Sequence, residues 1–184
     1  MPTREDALAL LEEWVANVGL RNHMKAVEAA CRWYARQAGA DEELWGQTGL
    51  LHDLDWEKYP ETHPLRAVDA LRERGYPEEM LHAILAHRPD YTHVEPTTPL
   101  DRTLSACDEL TGLINATALV RPNRIADLEP RSVKKKMKDP TFAAGVDREE
   151  VRRGSELLGI ELDEHIRNVI EAMKGIAPEL GLVP

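Results

Sequence analysis

A chain of 184 residues can bury a substantial core within one domain, and 42% hydrophobic with 30% charged residues is an ordinary globular balance. With 23 Lys and Arg against 33 Asp and Glu, the net charge of −10 excludes generic adhesion to nucleic acid or to anionic membrane, although a bound divalent cation can reverse the sign locally. The single Phe, the scarcity of β-branched runs and the abundance of Ala, Leu, Glu and Arg favour helices throughout.

In chain order, Thr3 followed by Asp6 reads as a capping pattern, with Leu8, Leu11 and Val15 as the apolar stripe and Gly19 as the stop. A second helix is predicted from about Asn22 to Ala38, with Val27, Cys31, Tyr34 and Ala38 inward and Gly39 ending it. Asp41 caps a third, which turns Leu44, Thr48 and Leu51 inward. Residues 53–63 lose the periodicity and read as a loop. Helices follow from Pro64 to Arg74, closed by Gly75, and from Pro77 to Ala86, where proline takes the first-turn position it tolerates. Residues 88–99 read as loop, Leu100–Val120 as a long helix, and residues 121–130 as a break. Two more helices are predicted over Asp147–Leu158 and Leu162–Ala177. The fold class expected is all-α, a single helical bundle, with residues 1–120 as the core and 121–184 as a helical extension packed on it.

The polar residues on apolar stripes carry the chemistry. His23 lies four residues before Val27, His52 four after Thr48, and Asp108 four after Leu104, so three helices aim a His or Asp inward. A buried carboxylate is expensive unless paired or bound to metal, and mixed imidazole and carboxylate donors suit a divalent ion such as Mn, Fe, Mg, Co or Zn. The adjacent Asp53 supplies a second donor type beside His52, and a carboxylate can bridge two ions.

His23, LLHDLD at 50–55 and SACDELTGL at 105–113 resemble the H…HD…D signature of the HD superfamily of metal-dependent phosphohydrolases. The resemblance covers about the first two-thirds of the chain. It implies a helical HD-domain bundle with His23, His52, Asp53 and Asp108 as metal ligands, and Asp53 as catalytic. THPLRAVDAL at 62–71 and AILAHRPD at 83–90 resemble segments of dinuclear members, which implies His63 and His87 as ligands of a second ion. His87 is followed by Arg88 rather than by a second His, and the Gly75-Tyr76-Pro77 triplet precedes it, so the HD-GYP subgroup is not indicated. Lys58 stands where several subfamilies carry a lysine after HD and is expected to contact substrate phosphate, as is Arg88. The activity implied is hydrolysis of a phosphate ester of a small metabolite or nucleotide by a metal-activated water, with one or two ions. The alternatives are a di-iron oxygenase and a non-catalytic nucleotide-binding module.

Other features have plainer readings. Asp55 is either a partner of a ligating histidine or a turn residue. His82 reads as exposed or capping, His93 as a loop residue bordering the site, and His165, amid Glu161, Asp163 and Glu164, as solvated. The basic run at 131–138, with Ser132 as a cap, is either a lid over the site or a solvated helix face. Cys31 and Cys107 lack metal-type spacing and read as buried thiols. Trp14, Trp33 and Trp45 read as packing residues, whereas Trp56, beside the HD pair, is placed to stack on a base. With no signal-peptide core and no long apolar run, a cytoplasmic protein is expected, with a small phosphorylated partner, no stable nucleic acid complex, no membrane, and a helical surface suited to a homodimer.

Overall fold

The computed structural model describes all 184 residues as ten helices and one short 3₁₀ turn, without strands. The helices are α1 (Arg4–Trp14), α2 (Val18–Ala38), α3 (Glu42–Leu51), α4 (Leu65–Glu73), α5 (Glu78–Ala86), α6 (Pro89–Thr92), α7 (Pro99–Leu119), α8 (Pro130–Met137), α9 (Arg148–Leu158) and α10 (Leu162–Lys174). The 3₁₀ turn covers Pro60–Thr62. No helix is long and apolar enough to cross a membrane.

Caps set many of the boundaries. Thr3 and Asp6 form a reciprocal capping box on α1, and Thr98 and Asp101 form another on α7, where Pro99 takes the first helical position. Asp41 accepts from the amides of Glu43 and Leu44 to start α3. The first helix ends at Trp14, earlier than Gly19 suggests. Asn17 accepts from Leu20 N–H and starts α2 there, which puts Gly19 inside the second helix. Residues 88–99 contain the single turn α6, and α8 starts at Pro130, not at Ser132.

The core joins side chains from every helix except α6, among them Leu11, Met24, Leu50, Leu71, Ile84, Leu104, Val133, Val151 and Ile166. Long α2 and α7 lie against each other, with α3 packed on α2, α5 on α7, α9 on α7 and α10 on α2. Cys31 and Cys107 are buried free thiols on α2 and α7. Buried Glu28 is held by Arg4 at 2.6 Å and Arg32 at 3.0 Å, which ties α1 to α2 with the carboxylate satisfied.

His165 departs from expectation. It is fully buried: Nε2–H donates to the Ala106 carbonyl at 2.9 Å and Nδ1 accepts from Tyr34 hydroxyl at 2.7 Å. Its acidic neighbours in sequence lie around the helix, while Val169 and Met173, four and eight residues on, share its buried face. Burial holds this imidazole down at about 4.

Candidate metal centre

Four helices and one turn deliver six candidate ligands to one place. His23 comes from the first turns of α2, His52 caps the C-terminus of α3, Asp53 follows it, His63 follows the 3₁₀ turn, His87 caps α5, and Asp108 lies within α7. Donor atoms of His23, His52 and Asp108 lie within 4.8 Å of one another, and so do those of Asp53, His63 and His87.

The two trios meet at Asp53. Its Oδ2 lies 3.5 Å from His52 Nε2 and 3.8 Å from His23 Nε2, while its Oδ1 lies 3.3 Å from His63 Nε2 and 3.7 Å from His87 Nε2. Asp108 Oδ1 is 3.0 Å from His23 Nε2 and 3.4 Å from His52 Nε2. One carboxylate thus turns an oxygen to each trio.

The local fold also decides the tautomers. At its helix end, His52 donates Nδ1–H to the Gly49 carbonyl at 2.8 Å, and His87 does the same to the Ile84 carbonyl. Each ring thereby satisfies a carbonyl that has lost its intrahelical partner, three residues back. His63 donates Nδ1–H to Asp55 Oδ1 at 2.7 Å, and the other oxygen of buried Asp55 accepts from Ala67 N–H at 2.9 Å. Thr111 gives its hydroxyl proton to the Asp108 carbonyl at 2.8 Å, so it is the acceptor for His23 Nδ1–H at 3.3 Å.

With Nδ1 anchored in each ring, all four imidazoles turn Nε2 to the centre, where the neutral form of each offers a lone pair. His63 Nε2 and His87 Nε2 face each other at 3.1 Å, and buried His52 Nε2 has no hydrogen-bond partner. Lone pairs and carboxylates crowded in this way require positive charge among them. The ionisation behaviour points the same way: burial opposes charge on His52, yet Asp53 and Asp108 outweigh it and lift the imidazole to about 10. Burial likewise opposes charge on Asp53 and Asp108, and His52 nevertheless holds both far below the usual carboxylate range. The donor set fits one or two divalent cations.

Around the ligands lies a cavity of about 290 Å³, bordered by Trp56, Arg88, Glu109, Gly112 and Val146. The Trp56 indole stands edge-on to His63 with centroids 5.1 Å apart, and 43% of the residue is exposed. Glu109 accepts from Asp147 N–H at 2.9 Å, which ties the segment before α9 to the rim, and burial followed by the Asp108 charge lifts its carboxyl to about 7. Sequence reasoning passed over Glu109 and Thr111. Thr111, three residues after Asp108 on the same helix, carries the spacing that marks it, whereas Glu109, one residue on, has no such signal.

Several expected site residues lie elsewhere. Lys58 does not line the cavity: its ammonium donates to the Glu13 carbonyl at 3.1 Å and sits 5.4 Å from the Trp14 ring centroid, because the turn after Asp55 folds it onto the end of α1. Lys58 is therefore corrected as a catalytic or phosphate-binding residue. Arg88 does border the cavity, with its guanidinium paired to Asp90 by two 3.1 Å bonds. The basic run forms α8, where Lys134 pairs with Asp163 at 2.6 Å and Lys136 lies over Phe142, and none of its side chains borders the site. His82 stands 3.1 Å from Asp101, and exposed His93 follows α6; neither lines the cavity.

A family model described as HD domain matches residues 20–113, a span that contains all six candidate ligands. The chain belongs to the HD domain family. No curated protein and no solved structure matched it. HD domains bind divalent metals, and this HD domain carries His and Asp clusters able to hold them.

Proposed function

We propose that this HD protein is a metal-dependent phosphohydrolase with two divalent ions, one held by His23, His52 and Asp108, the other by His63 and His87, with Asp53 shared between them. The observation that carries this reading is the division of Asp53, one oxygen facing each set of outward lone pairs. A divalent cation in such a set supplies a Lewis acid that polarises a phosphoryl oxygen and lowers the pKa of water. Asp53 and Asp108 offer acceptor oxygens that orient a water for in-line attack, and the backbone-anchored imidazoles keep the centre rigid. Arg88, the one arginine or lysine bordering the cavity, marks the side from which a phosphate oxygen approaches. Glu109, at the rim beside Asp108, is placed to give a proton to a departing alkoxide.

The test is phosphate release by protein loaded in turn with Mn, Fe, Co and Mg. Asp53→Asn is expected to lower both ion content and turnover by at least about 100-fold while the helical fold persists. Turnover undiminished in that variant would overturn the proposal. The three added nitrogen and carboxylate donors at 53, 63 and 87 also make a di-iron donor set, so an oxygenase is the second reading. Coloured protein with two tightly held irons and substrate-dependent oxygen uptake would establish it in place of hydrolysis.

A further inference from the structure

The metal cavity opens on one side into a trough of about 470 Å³, and His87, Arg88, Asp108 and Glu109 border both spaces. A group bonded to a phosphoryl moiety held at the ligand atoms has this trough as one direction in which to extend. The rest of the trough is walled by Asp90, Glu95, Ser105, Asp147, Glu150 and Arg153, and Pro89 is its one residue with a purely hydrocarbon side chain. For a nucleobase the only aromatic ring is that of His87, a proposed ligand already committed to the centre, and for an acyl chain the only hydrocarbon side chain is that of Pro89.

A second phosphate is disfavoured as well. Arg88 serves the first phosphate, which leaves Arg153, itself paired with Glu95 at 3.6 Å and Glu150 at 3.4 Å. Four carboxylates, at 90, 95, 147 and 150, face those two cations. What remains is a wall of hydrogen-bond acceptors and donors, suited to hydroxyl groups.

On these grounds, and resting on the hydrolase reading above, we infer that the leaving group is a hydroxyl-rich alcohol without negative charge and the substrate class a phosphomonoester of a sugar or polyol. Water oxygen bonds to phosphorus, the phosphorus–oxygen bond to the alcohol breaks, and the alcohol oxygen leaves with a proton delivered from the site. The rival position for an organic group is the exposed indole of Trp56, which borders the metal cavity but not the trough.

The experiment compares hexose 6-phosphates and hexitol phosphates with nucleoside 5′-monophosphates and p-nitrophenyl phosphate on the full chain with Mn, Fe, Co or Mg. A kcat/KM for the sugar and polyol esters at least about tenfold above that for the nucleotides is expected. Glu95→Leu and Glu150→Leu, both at the surface, each introduce apolar area into the trough and should shrink that preference at least about tenfold, mainly through KM. Hydrolysis of p-nitrophenyl phosphate without a sugar preference, or a preference untouched by both variants, overturns the trough assignment and leaves the hydrolase reading standing. A nucleotide preference lost in Trp56→Ala places the leaving group at the indole and overturns it equally. Failure to hydrolyse any of these esters, in protein shown to hold its ions, overturns the hydrolase reading and this inference together.

Discussion

At the residue scale, His165 shows how one imidazole makes the fold acid-sensitive away from the metal centre. Its folded value of about 4 lies below the ordinary 6.5, so between those values the unfolded chain binds more protons than the folded one. The stability it contributes is complete above pH 6.5 and is lost as the pH falls toward 4, about 2 kcal/mol between pH 7 and pH 5. His165→Gln removes that titration, so urea unfolding of the variant should change less over this range than that of the parent. A parallel loss in both proteins would show that His165 is not the sensitive group. Residues of this kind were hidden in the sequence for a definite reason. The acidic neighbours of His165 suggested solvent, whereas position on the helix decided burial. Lys58 stood at a plausible distance from the HD pair, but only the turn geometry shows its ammonium on α1. His23, His52 and Asp108 were readable because they interrupt apolar stripes and Asp53 because it adjoins His52, whereas His63 and His87 came from likeness to dinuclear HD sequences; the carbonyls of Gly49 and Ile84 that orient two of the ligands leave no mark in residue identity.

At the element scale, the centre depends on how closely α2 and α3 approach. A Cβ built on Gly49 would stand 2.8 Å from the Val27 carbonyl oxygen and 2.9 Å from the Glu28 nitrogen, both backbone atoms that cannot turn aside. Gly49→Ala should therefore push α3 off α2, at a cost of about 1–3 kcal/mol. The Gly49 carbonyl also anchors His52, so the shift should weaken Mn binding, read by calorimetry well below the melting temperature. A variant with unchanged melting temperature and Mn affinity would refute this account of the contact. Gly154 makes the same kind of approach to Ala106, where α9 meets α7. Helix caps such as Asp41 and Thr3 were evident from local chemistry, but close backbone approaches belong to pairs of helices that the sequence does not name together. The start of α2 was misplaced because Asn17 as a cap outweighed the expected stop at Gly19.

At the scale of the molecule, composition and helical periodicity sufficed for an all-α fold, since period-3.6 stripes run through most of the chain. How the later helices sit on α2 and α7 required tertiary contacts. Ligands drawn from α2, α3, α5 and α7 make ion binding a property of the assembled core. Mn at 100 times its Kd should therefore stabilise the protein by about 2.7 kcal/mol and raise its Tm. Elemental analysis should find two ions per chain in the parent and one in the paired variant His63→Ala, His87→Ala. Two ions retained in that variant would remove both histidines from the ligand set.

The rings anchored through Nδ1 have a calorimetric consequence. With His52 at about 10, the bare cluster carries a proton at neutral pH where a cation is proposed to sit, so loading should expel it into the buffer. The apparent heat of Mn uptake should then scale with the ionisation enthalpy of the buffer, and the association constant should climb as alkalinity increases toward that value. Identical heats in phosphate-free buffers of contrasting ionisation enthalpy would mean that ions enter without displacing hydrogen from the imidazoles.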